Sequence, residues 1–231
     1  MPAWLAFGLT AIALGVAFVV WRGSTRLKRA EFIRTYTLPR GLYDKLRKTR
    51  PELGVKECAL VARGLRHFFL AYLNSGRKFV AMPSQVADDM WHEFILYTRE
   101  YERFCQRAFG GFFHHSPAAV LGAAVQSNDG LKRAWWHACK EENINPLNAT
   151  RLPLLFALDS KLNIANGFYY ELDCKRVPTR GTQRTYCAGN FSSSTSGSGC
   201  GGGTSSNFDF SLGDAGGSSG CGGGGCGGGG D

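Results

Sequence analysis

The amino-acid sequence predicts a mainly α-helical protein with an N-terminal transmembrane helix, a small multi-helix domain and a disordered Gly/Ser-rich tail. Three observations lead to this prediction. Residues 3–21 are apolar and uncharged, apolar residues in the middle of the chain recur at three- and four-residue steps, and eighteen of the 31 glycines follow Ala188. The first two patterns are typical of helices, whereas a glycine-rich tail buries too little apolar area to offset its ordering entropy.

Residues 1–21 are predicted to form a membrane anchor. A helix over the apolar run would be about 28 Å long, close to the thickness of a bilayer's hydrocarbon core. Trp4 and Trp21 stand at its two ends, where aromatic rings favour the membrane interface. A cleaved signal peptide is disfavoured because no basic residue precedes the apolar run and Trp21-Arg22 follows it. A buried core helix is disfavoured by the length of the uninterrupted run.

Residues 22–51 are predicted to be a basic juxtamembrane segment. Residues 22–50 contain ten Lys/Arg and two acids, so they carry +8 of the net charge of +9. The positive-inside rule then places the N-terminus outside and the rest of the chain in the cytoplasm, at a bacterial inner membrane. The expected partners are the lipid bilayer with its anionic head groups and an unidentified protein. The residues predicted to face the membrane surface are Arg22, Arg26, Lys28 and Arg29.

Two other interpretations of this basic segment are a solvated charged face and an RNA-binding patch. Nucleic acid is disfavoured as a partner because single-stranded RNA sites interleave basic residues with stacking aromatics. This segment offers only Phe32, Tyr36 and Tyr43.

Residues 52–187 are predicted to form the helical domain. Helices are expected over residues 55–73, from an N-cap at Ser84 to Phe109, over 118–125 and 130–142, and over 154–162. Gly110-Gly111 ends the second of these helices, and residues 167–170 are expected to be extended. No run of alternating strands follows, which is why the domain is assigned to the mainly α class.

Residues 188–231 are predicted to be the disordered tail. The chain also has eight cysteines, three in predicted helices and three in the tail. This spacing differs from that of a secreted disulfide scaffold, so free thiols in a reducing compartment are expected.

Asp88, His92, His114 and His115 are the candidate metal-binding residues. Asp88 and His92 are four residues apart on one predicted helix, so they share a face, and a carboxylate beside an imidazole is a common metal or acid/base pairing. The alternatives are a solvated face and a buried Asp88–His92 ion pair. If the helix runs unbroken to Phe109, the two later histidines start more than about 20 Å from Asp88. The candidate cofactor is zinc or another divalent metal ion.

Several other residues are assigned structural or interaction roles. These are Trp91, Tyr101 and Cys105, of which Cys105 is expected to be a small buried hydrophobe. His67 and His137 are expected at the edge of the core and not as ligands. No P-loop, G-x-S-x-G or H-E-x-x-H motif occurs. The sequence therefore favours a non-enzymatic interaction or scaffold module, with a metal-binding protein or metal-dependent enzyme as the alternative.

The motif D-x-x-W-H at Asp88–His92, followed by T-x-x-Y-x-x-F-C at Thr98–Cys105 and H-H-x-P at His114–Pro117, resembles the glycine-rich domain-containing protein-like family. The resemblance covers about residues 76–170 and extends to the composition of the tail. Plant relatives carry W-H-x-H, whereas Phe94 occupies the second histidine position here. The resemblance implies no established enzymatic activity and directs attention to Asp88, Trp91, His92 and His115.

Overall fold

The computed structural model describes residues 3–115, 124–172 and 185–191, and these residues form a mainly helical domain, as predicted. Seven α-helices and a parallel pair of short strands occur in this part of the chain. The elements are α1 (Ala3–Thr35), α2 (Leu42–Thr49), α3 (Val55–Asn74), α4 (Gln85–Ile95), α5 (Thr98–Phe109), α6 (Ala124–Glu141), α7 (Leu154–Lys161), β1 (Tyr169–Glu171), β2 (Thr185–Cys187) and a 3₁₀ helix (Ala188–Phe191).

The predicted membrane anchor is wrong. In the described residues, no helix is both long and apolar enough to cross a bilayer. Helix α1 does not end with the apolar run but continues to Thr35. It therefore includes the basic residues Arg22, Arg26, Lys28 and Arg29. The same finding contradicts the single-pass topology, with its outside N-terminus, and the assignment to a bacterial inner membrane.

The basic segment is part of the folded domain. Ile33 of α1 and Leu42 and Leu46 of α2 have no exposed surface and belong to the main core. Two of the four predicted membrane-facing residues donate hydrogen bonds to distant parts of the domain, since Arg26 donates to Asn74 and Arg29 donates to the Phe109 carbonyl. The predicted contact of this segment with anionic lipids stays a prediction.

Helix α3 lies at the centre of the domain and packs on α1, α2, α4, α6 and α7. Its bounds match the predicted helix over 55–73 to within one residue. Buried residues lie along most of its circumference, as expected for a central helix. Phe68 and Phe69 are almost completely buried and contact rings from α4, α5 and the segment after α5. The candidate site lies against this aromatic core.

The predicted long helix from Ser84 to Phe109 is two helices, α4 and α5, separated at Leu96-Tyr97. Tyr97 leaves the helical conformation with φ −81° and ψ 59°. Its ring lies 4.9 Å from the Lys45 ammonium of α2, and its hydroxyl donates to the Arg40 carbonyl at 3.2 Å. The break lets Phe94 of α4 and Phe104 of α5 pack on each other, with ring centroids 5.4 Å apart. Tertiary contacts therefore interrupt a helix that local periodicity alone continues.

The C-terminal part of the described chain closes the core on the side of α6 and α7. Trp135, Phe156 and Phe191 form one aromatic group with centroid distances between 5.2 and 5.9 Å. The packed region therefore includes Ala188 and Phe191, so the predicted start of the tail at residue 188 is too early. The predicted tail from residue 192 onward lies outside the described residues. Residues 118–123 of the helix predicted over 118–125 lie outside them as well.

The expectation of free thiols holds for three buried cysteines, Cys58, Cys105 and Cys139. It is wrong for Cys187, which is disulfide-bonded. Cys187 is the last residue of β2.

Candidate metal centre

Three of the four predicted ligands meet at one place: Asp88, His92 and His115. The Nε2 atom of His115 is 3.1 Å from Oδ1 of Asp88 and shares a hydrogen bond with it. The Nδ1 atom of His92 is 3.6 Å from Oδ2 of Asp88. One ligand atom from each residue lies within 4.8 Å of the other two. The carboxylate thus lies close to both imidazoles, whose ring centroids are 4.3 Å apart, and the three residues offer a mixed nitrogen and oxygen donor set.

Asp88 and His92 lie one turn apart on helix α4. Two residues hold the N-terminus of this helix, Ser84 and Asp159. The Ser84 hydroxyl accepts from the Ala87 amide at 3.2 Å, as the sequence predicted for an N-cap. Asp159 of α7 then accepts from the Ser84 hydroxyl at 2.7 Å and from the Gln85 amide at 2.7 Å. The first turn of α4, which carries Asp88, is therefore tied to α7.

Asp159 is a buried carboxylate with four donors. Besides Ser84 and Gln85, it accepts from the amides of Val86 at 3.2 Å and Phe168 at 2.8 Å. Burial raises the pKa of Asp159, and the hydrogen bonds from these four groups act in the opposite direction. All four partners are donors, so they fit the ionised carboxylate, which lies at the positive end of α4.

The chain reversal after α5 brings His115 back to α4. Gly110 has φ 74°, a left-handed conformation that glycine adopts without strain. Arg29 and Arg77 both donate to the Phe109 carbonyl, at 3.0 and 3.1 Å, which satisfies the end of the helix. Phe113 then stacks on Tyr72 with ring centroids 3.8 Å apart, and His115 follows two residues later.

Trp91, Tyr101 and Cys105 lie directly behind the site. The Tyr101 hydroxyl donates to the Phe113 carbonyl at 2.5 Å and accepts from Trp91 Nε1 at 3.1 Å. The Trp91 ring also contacts the His115 ring edge-on at 4.6 Å. Cys105 is fully buried, and burial raises the pKa of its thiol. The prediction that Cys105 is a buried hydrophobe is confirmed, and Trp91 is covered, with 4% exposure.

The remaining histidines lie elsewhere in the described structure. His114 is exposed and contacts the Phe112 ring at 4.7 Å, so it is not part of the Asp88 cluster. His67 is buried with Nδ1 3.4 Å from Glu142 Oε1, in a geometry too poor for a hydrogen bond. Burial and the nearby Arg26 lower the pKa of His137. Neither His67 nor His137 joins the cluster, in agreement with the sequence prediction.

The cluster is open to solvent on one side. The side chain of His92 is 52% exposed, whereas Asp88 and His115 are 23% and 17% exposed. Structural zinc sites have four protein ligands and are closed, whereas sites with three protein ligands leave positions for water or substrate. An ion held by these three residues would therefore keep part of its coordination sphere free.

Sequence reasoning missed two features of the site. The first is the reversal that brings His115 to Asp88, for which the signal was Gly110-Gly111. The second is Asp159, an acid that directly follows the apolar residues Leu154–Leu158. A lone carboxylate in an apolar helix is costly unless donors surround it, and that pattern signals a buried cap.

Comparison with known proteins shows a match to one family. The sequence profile of the UCP032817-like family matches residues 28–191, which is more than half of the chain. The chain therefore belongs to the UCP032817-like family. No curated protein and no solved structure matches the chain significantly. The matched region begins within α1 and ends with the 3₁₀ helix, so it coincides with the packed domain.

Proposed function

We propose that this UCP032817-like protein is a metal-binding protein that holds one divalent transition-metal ion through Asp88, His92 and His115. The observation that carries the proposal is the convergence of two imidazoles on one carboxylate across 27 residues of sequence. Two histidines and a carboxylate are a common ligand set for Zn²⁺ and for non-haem Fe²⁺.

The distances suit a small ion after a modest adjustment. Zinc lies about 2.0–2.2 Å from its nitrogen and oxygen ligands, so tetrahedral donors are about 3.4 Å apart. His115 Nε2 is 3.1 Å from Oδ1 of Asp88 and His92 Nδ1 is 3.6 Å from Oδ2, so each nitrogen lies close to this distance from one of the two carboxylate oxygens. The widest separation, up to 4.8 Å, would shorten if the half-exposed His92 ring turned inward. The surrounding packing holds Asp88 and His115 more firmly.

The electrostatics also favour a cation. With both imidazoles neutral, the three ligands carry one negative charge, and a divalent ion leaves the site with a net charge of +1. The neighbouring Asp89 is paired with Arg50 at 2.8 Å and does not compete for the ion. An ion here would polarise a bound water or an oxygen ligand at the exposed side.

The test is a titration of the metal-free full-length chain with Co²⁺, whose visible absorption reports its coordination, followed by displacement with Zn²⁺. We expect one ion per chain, with affinity reduced at least tenfold in His92→Ala and His115→Ala. His114→Ala is the matched control because His114 is adjacent but outside the cluster, and its affinity should be unchanged. Failure of the wild type to bind a stoichiometric ion would overturn the proposal. An equal loss in His114→Ala would overturn the assignment of ligands.

The interaction or scaffold role suggested by the sequence stays a prediction, since nothing in the described part of the chain identifies a partner for it.

A further inference from the structure

We infer that Tyr101 is the positioning residue of this site and that its hydroxyl holds His115 against Asp88 by binding the Phe113 carbonyl. This inference rests on the proposed metal site, to which it adds the device that makes the third ligand available. Tyr101 itself does not touch the ligand atoms, so it acts through the segment that carries His115.

The hydroxyl of Tyr101 joins three elements at one point. It donates to the Phe113 carbonyl at 2.5 Å and accepts from Trp91 Nε1 at 3.1 Å. Tyr101 belongs to α5, Trp91 to α4, and Phe113 to the segment after α5. Asp88 and His92 lie on the same helix as Trp91, and His115 lies two residues after Phe113. The relay of two hydrogen bonds therefore spans the same two elements that the metal site must bring together.

The environment makes this relay rigid. Tyr101 and Trp91 are 1% and 4% exposed, so water does not compete for either hydrogen bond. Burial raises the pKa of Tyr101, which keeps its hydroxyl protonated as a donor. The Phe113 ring is held separately by stacking on Tyr72 and Trp91. Both the ring and the carbonyl of Phe113 are thus fixed.

The position of His115 depends on this anchor because the chain before it turns at two glycines. Gly110 and Gly111 have no side chains to restrict the path, and Phe112 is exposed. His114 is exposed as well, so Phe113 is the buried residue nearest to His115 in the described segment. Two residues of extended chain span about 7 Å, which limits how far His115 moves while the Phe113 carbonyl is held.

The test compares the histidine ring resonances of the metal-free full-length chain in wild type, Tyr101→Phe and Tyr169→Phe by ¹H–¹⁵N NMR. Tyr101→Phe keeps the ring and removes only the hydroxyl. Tyr169→Phe is the matched control because its hydroxyl also donates to a backbone carbonyl, that of Ile164, but lies on β1 and not on α4 or α5. We expect the His115 resonances to shift or broaden in Tyr101→Phe only. Unchanged His115 resonances in a folded Tyr101→Phe variant would overturn the inference.

A second measurement separates this inference from the metal proposal. In the Co²⁺ titration, Tyr101→Phe should weaken binding about 10–100-fold and change the absorption spectrum, as loss of an outer-shell partner does in metal proteins. If Tyr101→Phe does not fold, Trp91→Phe serves instead. It removes the bond to Tyr101 and also the ring that contacts His115 at 4.6 Å, so the His115 resonances should shift, and unchanged resonances would overturn the inference. If the wild type binds no metal ion, the proposed metal site is refuted. The NMR comparison of the metal-free chain still decides the role of Tyr101.

Discussion

Replacement of Asp159 by Asn should strongly destabilise the domain. The carboxylate has 1% exposure and accepts four hydrogen bonds, two on each oxygen. An amide keeps one accepting oxygen and turns the other into a donor. If that NH₂ faces Ser84 and Val86, the Ser84 hydroxyl can rotate to accept, but the Val86 amide loses its acceptor.

The cost follows from these contacts. One buried unpaired amide costs about 1–3 kcal/mol, and bonds to a neutral acceptor are weaker than bonds to a carboxylate. Loss of the negative charge at the N-terminus of α4 adds about 0.5–1 kcal/mol. We expect Asp159→Asn to lower the free energy of unfolding by about 2–4 kcal/mol in total. This is a large part of the 5–15 kcal/mol that is typical of a domain.

The assay is urea unfolding of the full-length chain, followed by circular dichroism at 222 nm. Asp129→Asn is the matched control because Asp129 is exposed on α6, and it should change stability by less than about 0.5 kcal/mol. A loss below about 1 kcal/mol in Asp159→Asn would show that the four hydrogen bonds do not hold α4 as described. Weaker Co²⁺ binding should accompany the destabilisation, because Asp88 lies in the turn that Asp159 fixes.

Two further predictions concern a buried carboxyl and a helix contact. Burial alone would raise the pKa of Glu142, but the nearby His67 and the hydrogen bonds from Arg151 and the Leu154 amide lower it to about 2. The stability that it contributes, up to about 3 kcal/mol, is therefore present above pH 4.5 and lost as the pH falls toward 2. Urea unfolding of wild type and Glu142→Gln should converge over this range, and a constant difference would contradict the assignment. Gly64→Ala should destabilise the domain by about 1–3 kcal/mol in thermal unfolding, because the new methyl group would meet the Leu158 side chain. Gly23→Ala is the control: its methyl group meets no atom within 4 Å, so this change should be neutral or stabilising. Equal melting temperatures for the two glycine variants would refute the close α3–α7 contact.

The sequence by itself determined most of the helices and one half of the site. The apolar periodicity of residues 55–73 and 154–162 predicted α3 and α7 to within one residue, and Ser84 was recognised as the N-cap of α4. Asp88 and His92 were paired because residues four apart share a helix face. These features depend on neighbours within about one turn, which a sequence shows directly.

The apolar run at the N-terminus is only the first part of a longer helix, which its hydropathy does not reveal. Helix α1 extends through the charged turns to Thr35, and Ile33 packs in the core of the domain. The basic residues that suggested a membrane surface include Arg29, which caps α5. A run of basic residues therefore does not by itself indicate a surface that faces solvent or a partner, because its side chains can hydrogen-bond helix ends within the same domain.

Only the tertiary structure decided which histidine joins Asp88. His114 and His115 are adjacent in sequence and equal in chemistry, yet one is exposed and the other lies 3.1 Å from the carboxylate. The difference arises at Tyr97, where α4 ends early, and at Phe113, whose carbonyl is held by Tyr101. Both contacts join residues that periodicity cannot relate, because the direction of the chain after a turn depends on the packing of distant side chains.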